Sequence, residues 1–164
     1  MIFVIPQGGH SSGQLWHRLV NSINWHRLNS WSVRFDPSCS YELPGPDNFD
    51  VNKLVGHSIG WNHHQESVRF GWRSSQDKIE LSAYAYIEGQ RHIETMCQVP
   101  LNMEVDLFIL VEQAHYRFIV FRDGLLHAEL ELKKERRFQP GYRLWPYFGG
   151  DRPAPHKIRI ELSN

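Results

Sequence analysis

The chain has 164 residues, with 18 lysines and arginines balanced by 18 aspartates and glutamates, and aromatic residues make up 13% of it. This length predicts one domain, residues 1–164, with a substantial core, and the aromatic content excludes a disordered protein. Because the net charge is zero and no run approaches about 18 apolar residues, we expect neither a nucleic-acid partner nor a membrane partner.

The N-terminal sequence and the cysteines bear on location and cofactors. Residues 1–13 contain one short apolar run without a basic region or a cleavage site, so no secretory signal is predicted. The expected location is the cytoplasm, with a phage particle as the alternative. Cys39 and Cys97 are too few for a metal cluster, and whether they pair stays open. No cofactor is predicted.

Residues 13–30, the larger part of an uncertain N-terminal segment (1–30), have two interpretations. Leu15, Leu19 and Ile23 keep helical spacing, whereas irregular or extended chain fits the sequence equally well. The tetrapeptide WHRL occurs twice here, which is too short a repeat to carry weight. The segment is left unassigned.

Alternation of apolar and polar residues dominates from residue 31 onward. Trp31, Val33 and Phe35 alternate with polar neighbours, and this strand stops at Pro37. Short strands separated by turns, without helical segments between them, predict an all-β fold, an antiparallel β-sandwich or barrel. The further candidate strands are Lys53–Trp61, Glu66–Arg73, Lys78–Glu88, Arg91–Val99, Val105–Gln113, His115–Phe121, Leu125–Leu132, Tyr142–Phe148 and His156–Leu162.

Three of these strands, Lys53–Trp61, Glu66–Arg73 and Lys78–Glu88, can be paired residue by residue. A four-residue turn at Asn62–Gln65 places His57 opposite Phe70, and a second one at Ser74–Asp77 sets the register of the following strand. Both registers bury the same face, and a slip by one residue would bury arginines instead. The predicted core-facing residues are Val55, His57, Ile59, Trp61, Val68, Phe70, Trp72, Ile79, Leu81 and Ala83.

The opposite face of these strands is the candidate binding surface. Arg69 lies there among small residues, and glycine inside a strand often marks a close approach of another group. We predict a shallow trough with Arg69 at its floor and Tyr84 and Tyr86 as its walls. In the alternative, another part of the chain covers this face and Arg69 forms a structural ion pair. The candidate ligand-binding residues are Arg69, Tyr84, Tyr86, Ser58, Ser82, Glu80 and Arg73.

The histidines near this surface do not predict a metal site. His57, His63, His64 and Glu66 lie within ten residues, and imidazole and carboxylate groups are common metal ligands. Ligands on one face of a strand need alternate positions, however, and the two adjacent histidines would point apart.

No catalytic residues are predicted. The sequence contains neither a Gly-x-Ser-x-Gly elbow nor a phosphate-binding loop. Glu129, Glu131 and Glu135 fit an amphipathic strand better than the carboxylate pair of a glycosidase. The basic run 133–137 is typical of a solvated turn. A stronger candidate for a ligand site is formed by Trp145, Tyr147 and Arg143, because aromatic platforms beside hydrogen-bonding groups suit sugar rings. Trp145 fits the core equally well.

Four segments carry a resemblance to a known group of proteins. Residues 50–56, 67–73, 147–150 and 154–158 look like those of uncharacterised bacterial and phage-associated proteins, which resemble concanavalin A-like jelly rolls. The resemblance implies the two-sheet sandwich of lectins, glucanases and some polysaccharide lyases. The sequence lacks the Glu-x-Asp-x-x-Glu pattern of the glucanases and the Gln-Ile-His strand of one alginate lyase branch.

The sequence as a whole favours a non-catalytic, lectin-like module that binds a glycan through the face around Arg69. The first alternative is an enzyme acting on polysaccharide, a lyase or glycosidase. In the lyase, Arg69 would neutralise a uronate carboxylate, and Tyr84 or His63 would transfer protons. The second alternative is a structural or assembly protein, in which the same face meets another subunit. The oligomeric state is not predicted.

Overall fold

The computed structural model describes residues 1–13, 26–134 and 137–163, together with the backbone of residues 23–24. Two short 3-10 helices, Pro37–Cys39 and Gly45–Phe49, join a series of strands. No helix in these ranges has the length and apolar character needed to cross a membrane. The strands are β1 (Ile2–Ile5), β2 (Ile23–Asn24), β3 (Leu28–Phe35), β4 (Asn52–Ser58), β5 (Ser67–Ser75), β6 (Lys78–Ile87), β7 (Gln90–Pro100), β8 (Glu104–Val111), β9 (His115–Arg122), β10 (Leu125–Lys133), β11 (Gly141–Leu144) and β12 (Ile158–Ser163).

These strands form two antiparallel sheets. Sheet 1 has the order β1-β12-β3-β8-β9-β10, and sheet 2 has the order β2-β11-β4-β5-β6-β7. The predicted all-β, two-sheet antiparallel sandwich is therefore confirmed. The strand predictions from residue 31 onward are confirmed to within a few residues, except that β11 ends at Leu144, before Pro146. Strands β1 and β2 are not among the predictions.

The core lies between the sheets because every second residue of their inner strands is apolar. In β8, Val105, Leu107 and Ile109 are almost fully buried and alternate with half-buried or exposed residues. Aromatic contacts join the two sheets: the Phe70 and Phe118 rings lie 5.4 Å apart, edge to face. Burial of one face of each sheet is the main stabilising contribution to this architecture.

The predicted register of the central strands is wrong by two residues at both hairpins. The β5–β6 turn contains two residues rather than four, so Phe70 lies opposite Ala83. The β4–β5 loop, residues 59–66, contains eight residues, and His57 lies opposite Val68. Because side chains alternate with a period of two, a shift by two leaves β5, β6 and residues 56–58 on their predicted faces. The β-bulge between Lys53 and Gly56 is the exception, because it places Lys53 opposite Gly71 on the outer face.

One predicted core residue, Trp61, is nevertheless on the surface with 72% of its side chain exposed. The cause is Glu66, which is buried and accepts a hydrogen bond from the hydroxyl group of Tyr116 in sheet 1. The carboxylate of Glu66 also accepts the backbone N–H of Glu88 at 3.1 Å. These bonds hold Glu66 at the edge of the core, and the loop that runs from Ile59 to Glu66 carries Trp61 outward.

The two cysteines do not form a disulfide bond: Cys39 and Cys97 are both free thiols. Residues 23–24 and 28–30 are extended, whereas Leu15, Leu19 and the first WHRL lie outside the described residues. Glu135 also lies outside them.

Candidate functional site

The candidate site lies on the outer face of sheet 2. In the central row of this face Arg69 is flanked by Gly56 on β4 and Tyr84 on β6. The next row contains Ser58, Ser67 and Tyr86. The structure thus places Arg69 beside both predicted tyrosines, because its β6 partner is a tyrosine rather than the predicted serine.

Gly56 is required at its position beside Arg69. A Cβ atom added to Gly56 would lie 2.0 Å from the carbonyl oxygen of Val68 and 2.4 Å from the Cα atom of Arg69. This close approach lies at the end of a β-bulge, where the register of the two strands shifts between Lys53 and Gly56. The absence of a side chain leaves room for the Arg69 side chain on this face.

A cavity of about 720 Å³ opens beside Arg69. It forms where β11 and the chain that follows run along β4: Leu144 pairs with Gly56, and Tyr147 pairs with both Lys53 and Ser11. The β4–β5 loop closes another side. The lining residues are Phe3, Ser11, Ser12, Gly13, Lys53, Trp61, His63, His64, Arg69, Tyr86, Tyr142, Arg143, Leu144, Trp145, Pro146 and Tyr147.

Arg69 is 5% exposed and has few partners in the described structure. Its guanidinium group donates a long hydrogen bond of 3.4 Å to the hydroxyl oxygen of Ser67, and its Nε atom has no partner. The guanidinium carbon lies 5.6 Å from the centre of the Tyr84 ring, a cation–π contact. Burial lowers the pKa of Arg69, and no carboxylate among the described residues pairs with it. The predicted alternative, a structural ion pair of Arg69, is absent from this part of the chain.

The loop histidines form one wall of the cavity. His63 Nδ1 is hydrogen-bonded to the Tyr142 hydroxyl group at 2.5 Å, and the His64 ring meets Tyr86 edge to face at 5.3 Å. Burial, followed by the charge of Arg69, lowers the pKa of His63 to about 4. His63 is therefore neutral at pH 7.

Lys53 and Tyr147 form the opposite wall. The Lys53 ammonium group lies 5.1 Å from the Tyr147 ring centre and 5.8 Å from that of Tyr84. Burial and the charge of Arg69 lower the pKa of Lys53. The Tyr147 ring stacks on His10 at 5.3 Å, which fixes its orientation.

Some of the predicted site residues lie at the cavity and others lie away from it. Arg69 and Tyr86 line the cavity. Tyr84 lies beneath the two cations, and burial raises its pKa to about 12. Ser58 is buried, where it donates a 2.8 Å hydrogen bond to the carbonyl group of Gly60.

The remaining predicted residues lie away from the cavity. Ser82 is buried, and its hydroxyl group has no partner in the described structure. Arg73 and Glu80 form an ion pair at 2.7 Å near the other end of the sheet. Val51 covers the face at Gly71, where an added Cβ atom would lie 2.5 Å from a Val51 methyl group. The described chain therefore covers the part of the predicted trough at Gly71, and the cavity lies beside Arg69.

The structure also shows the positions of the predicted aromatic platform and of the histidines considered as metal ligands. Arg143, Trp145 and Tyr147 all line the cavity, and Trp145 also packs against the core by stacking on Phe3 at 5.5 Å. The His63 and His64 rings are in contact with their centres 4.2 Å apart and their planes tilted by 38°. The described residues contain no cluster of three His, Cys, Asp or Glu side chains suited to a metal ion.

Several lining residues are absent from the predictions for this site. The sequence predicts Lys53 only as the start of a strand, Trp61 as a core residue, and Tyr142 as the start of another strand. Local alternation carries no signal for their convergence, because Tyr142 reaches the site through pairing between chain segments 84 residues apart. Gly60 adopts a positive φ of 79°. A glycine at this position, followed by two adjacent histidines, is the local sequence feature that indicates a β4–β5 loop longer than a tight turn.

Fold and cavity together define an antiparallel β-sandwich with an aromatic, basic cavity on the outer face of one sheet. No protein-family model matches the sequence, and no curated protein matches it. Solved structures do match. A functionally unknown protein from Saccharomyces cerevisiae superposes with a TM-score of 0.53 at 14% identity, over 87% of this chain and 69% of that chain.

Two further structures have names that refer to carbohydrate. A Bacteroides ovatus protein described as xyloglucan PUL GH43B matches with a TM-score of 0.52 at 10% identity, over 88% of this chain and 27% of that chain. The Bacillus subtilis carbohydrate-binding module CBM66 matches with a TM-score of 0.43 at 9% identity, over 87% and 74% of the two chains. The yeast and Bacteroides matches show a shared fold alone, and the Bacillus match is too weak to support an argument. This chain spans about a quarter of the Bacteroides protein.

Proposed function

We propose that this protein is a non-catalytic carbohydrate-binding module of the concanavalin A-like type, and that its ligand occupies the cavity beside Arg69. The observation that carries the proposal is the composition of the cavity wall. A volume of about 720 Å³ accommodates a small oligosaccharide. Aromatic faces from Trp61, Tyr86 and Tyr147 suit the apolar CH faces of sugar rings, while the polar groups between them suit hydroxyl groups.

Two further observations bear on the proposal, and the first of them favours binding over hydrolysis. No aspartate or glutamate is among the described residues that line the cavity, whereas glycosidases commonly need two carboxylates. The fold likeness to the Bacteroides ovatus protein agrees with a sugar ligand, since that protein is named for a polysaccharide.

The test uses Trp61, which is 72% exposed and lines the cavity without packing in the core. We expect Trp61→Ala to weaken glycan binding by about tenfold or more, since loss of a stacking ring removes about 1.4 kcal/mol or more. The matched control is Leu125→Ala at the start of β10 in sheet 1, where the side chain is 73% exposed. The measurement is a glycan array followed by calorimetric titration of the best ligand.

Three results would contradict the proposal. Absence of binding to any glycan at millimolar concentration would overturn it, and so would equal losses in the two variants. The third result concerns catalysis, because His63 and the Tyr142 hydroxyl group are hydrogen-bonded to each other beside Arg69, and both side-chain types can transfer protons in an enzyme. Release of unsaturated sugar ends, detected as new ultraviolet absorbance, would favour that alternative.

A further inference from the structure

The cavity wall carries an unbalanced positive charge. Lys53, Arg69 and Arg143 line it, and none of the described lining residues is acidic. This local excess contrasts with the chain as a whole, in which 18 basic residues balance 18 acidic ones. The charges are therefore segregated at this site rather than distributed evenly.

Ion pairs formed elsewhere in the described structure show the contrast. Arg73 pairs with Glu80 at 2.7 Å, and Arg159 pairs with Glu161 at 2.7 Å. Arg69 is less exposed than either arginine and has no carboxylate partner among the described residues. A buried cation without a counterion is energetically unfavourable, and such groups concentrate at functional sites.

A second cation lies against the same aromatic ring. The Tyr84 ring centre is 5.6 Å from the Arg69 guanidinium carbon and 5.8 Å from the Lys53 ammonium nitrogen. The charge of Arg69 acts on Lys53 more strongly than the opposing charge of Asp50. The two cations thus repel each other across a partly dehydrated wall, and an anion bound beside them would relieve this repulsion.

From this arrangement we infer that the ligand is an acidic sugar, a ring that carries a carboxylate group, and that Arg69 binds this carboxylate with Lys53 beside it. The inference rests on the proposed function and adds the chemical class of the ligand. A guanidinium group presents paired N–H donors that match the two oxygens of a carboxylate. The uncharged parts of the sugar ring would then contact the aromatic side chains Tyr86 and Tyr147.

The experiment compares two forms of the same ligand. Tetramers of galacturonate, mannuronate and glucuronate are titrated into the protein at pH 7, each beside its methyl ester. The ester keeps the ring and its hydroxyl groups but removes the charge. We expect at least one acid to bind about tenfold or more tightly than its ester, and the preference to decrease as the salt concentration rises.

Variants then assign the preference to Arg69. Arg69→Gln removes the charge, and the acid and ester should bind it with nearly equal affinity. Arg69→Lys keeps a charge without the paired donors and should retain part of the preference. The matched control is Arg34→Gln, since Arg34 lies on β3 in sheet 1 and is half exposed beside Glu104. This control has the same change in net charge and should keep the full preference.

The outcomes separate this inference from the proposed function. Equal binding of acid and ester, or binding of neutral glycans alone, would overturn the inference and leave the carbohydrate-binding proposal in place. A preference that persists in Arg69→Gln would assign the carboxylate to another residue and would also overturn it. If no glycan binds, both the inference of an acidic sugar and the carbohydrate-binding proposal are wrong. The acid–ester comparison on the unmodified protein remains decisive if the Arg69 variants do not fold.

Discussion

His57 shows how a single residue can be assigned from alternation and still have unexpected chemistry. Its side chain is 1% exposed, as the strand pattern predicts, and neither ring nitrogen has a hydrogen-bond partner in the described structure. Burial, and then the charge of Arg143, lowers the pKa of His57 from 6.5 to about 4. Between these values the unfolded chain binds a proton that the folded chain excludes. The free energy of unfolding therefore falls as the pH falls through this window.

We predict that His57→Leu removes this part of the acid sensitivity. The contribution of His57 to the loss of stability between pH 6.5 and pH 4 is about 3 kcal/mol at most, because one pKa unit corresponds to about 1.4 kcal/mol. The variant should also be at least as stable as the parent at pH 7, since two unpaired buried nitrogens are removed. Urea unfolding at pH 7 and pH 4.5 measures both effects.

The control for this prediction is His92→Leu on β7, where the side chain is exposed. This variant should lose stability on acidification as the parent does. An unchanged pH dependence in His57→Leu would show that other groups are responsible for it.

At the scale of elements, the hairpins mark what local sequence can and cannot determine. The buried face of β5 and β6 follows from alternation, because the apolar side chains of Val68, Phe70 and Ile79 lie on one face and are all buried. The register does not follow, because the length of a turn depends on backbone angles that the residue types only weakly indicate. Gln76 adopts a positive φ of 56°, which glycine or asparagine would have signalled more clearly.

Two other hairpins allow this turn chemistry to be tested. The β6–β7 turn, Glu88-Gly89, and the β9–β10 turn, Asp123-Gly124, both have positive φ at their two central residues, as in type I′ turns. Asparagine and aspartate adopt positive φ more readily than glutamate. We predict that Glu88→Asn raises the free energy of unfolding by about 0.5–1 kcal/mol, and that Asp123→Glu lowers it by a similar amount. Thermal unfolding of both variants measures the effect.

Both substituted side chains are exposed, so packing should not interfere with the comparison. Shifts of the melting temperature in the same direction would contradict the explanation by backbone angle. They would point instead to the difference in charge or length between the side chains.

At the scale of the whole molecule, the candidate site is formed by parts of the chain that only long-range pairing brings together. Arg69 and Tyr86 come from the hairpin whose outer face could be read from the sequence, and their role in binding stays a prediction. Phe3 and Tyr142 come from strands near the two ends of the described chain. Alternation within a strand indicates a face but not its neighbour across a sheet, so the cavity itself could not be derived.

The N-terminal strand offers a test of this dependence, because it supports the cavity from the opposite sheet. Phe3 and Ile5 are both buried on β1, but only Phe3 reaches the cavity, where it stacks on Trp145 at 5.5 Å. We predict that Phe3→Ala and Ile5→Ala each destabilise the protein by about 2–5 kcal/mol, as expected for truncation of buried side chains. Only Phe3→Ala should also weaken glycan binding, by about threefold or more, since Trp145 loses its support. Urea unfolding and ligand titration at a temperature where both variants are folded separate the two effects, and equal binding by the two would show that the cavity does not depend on β1.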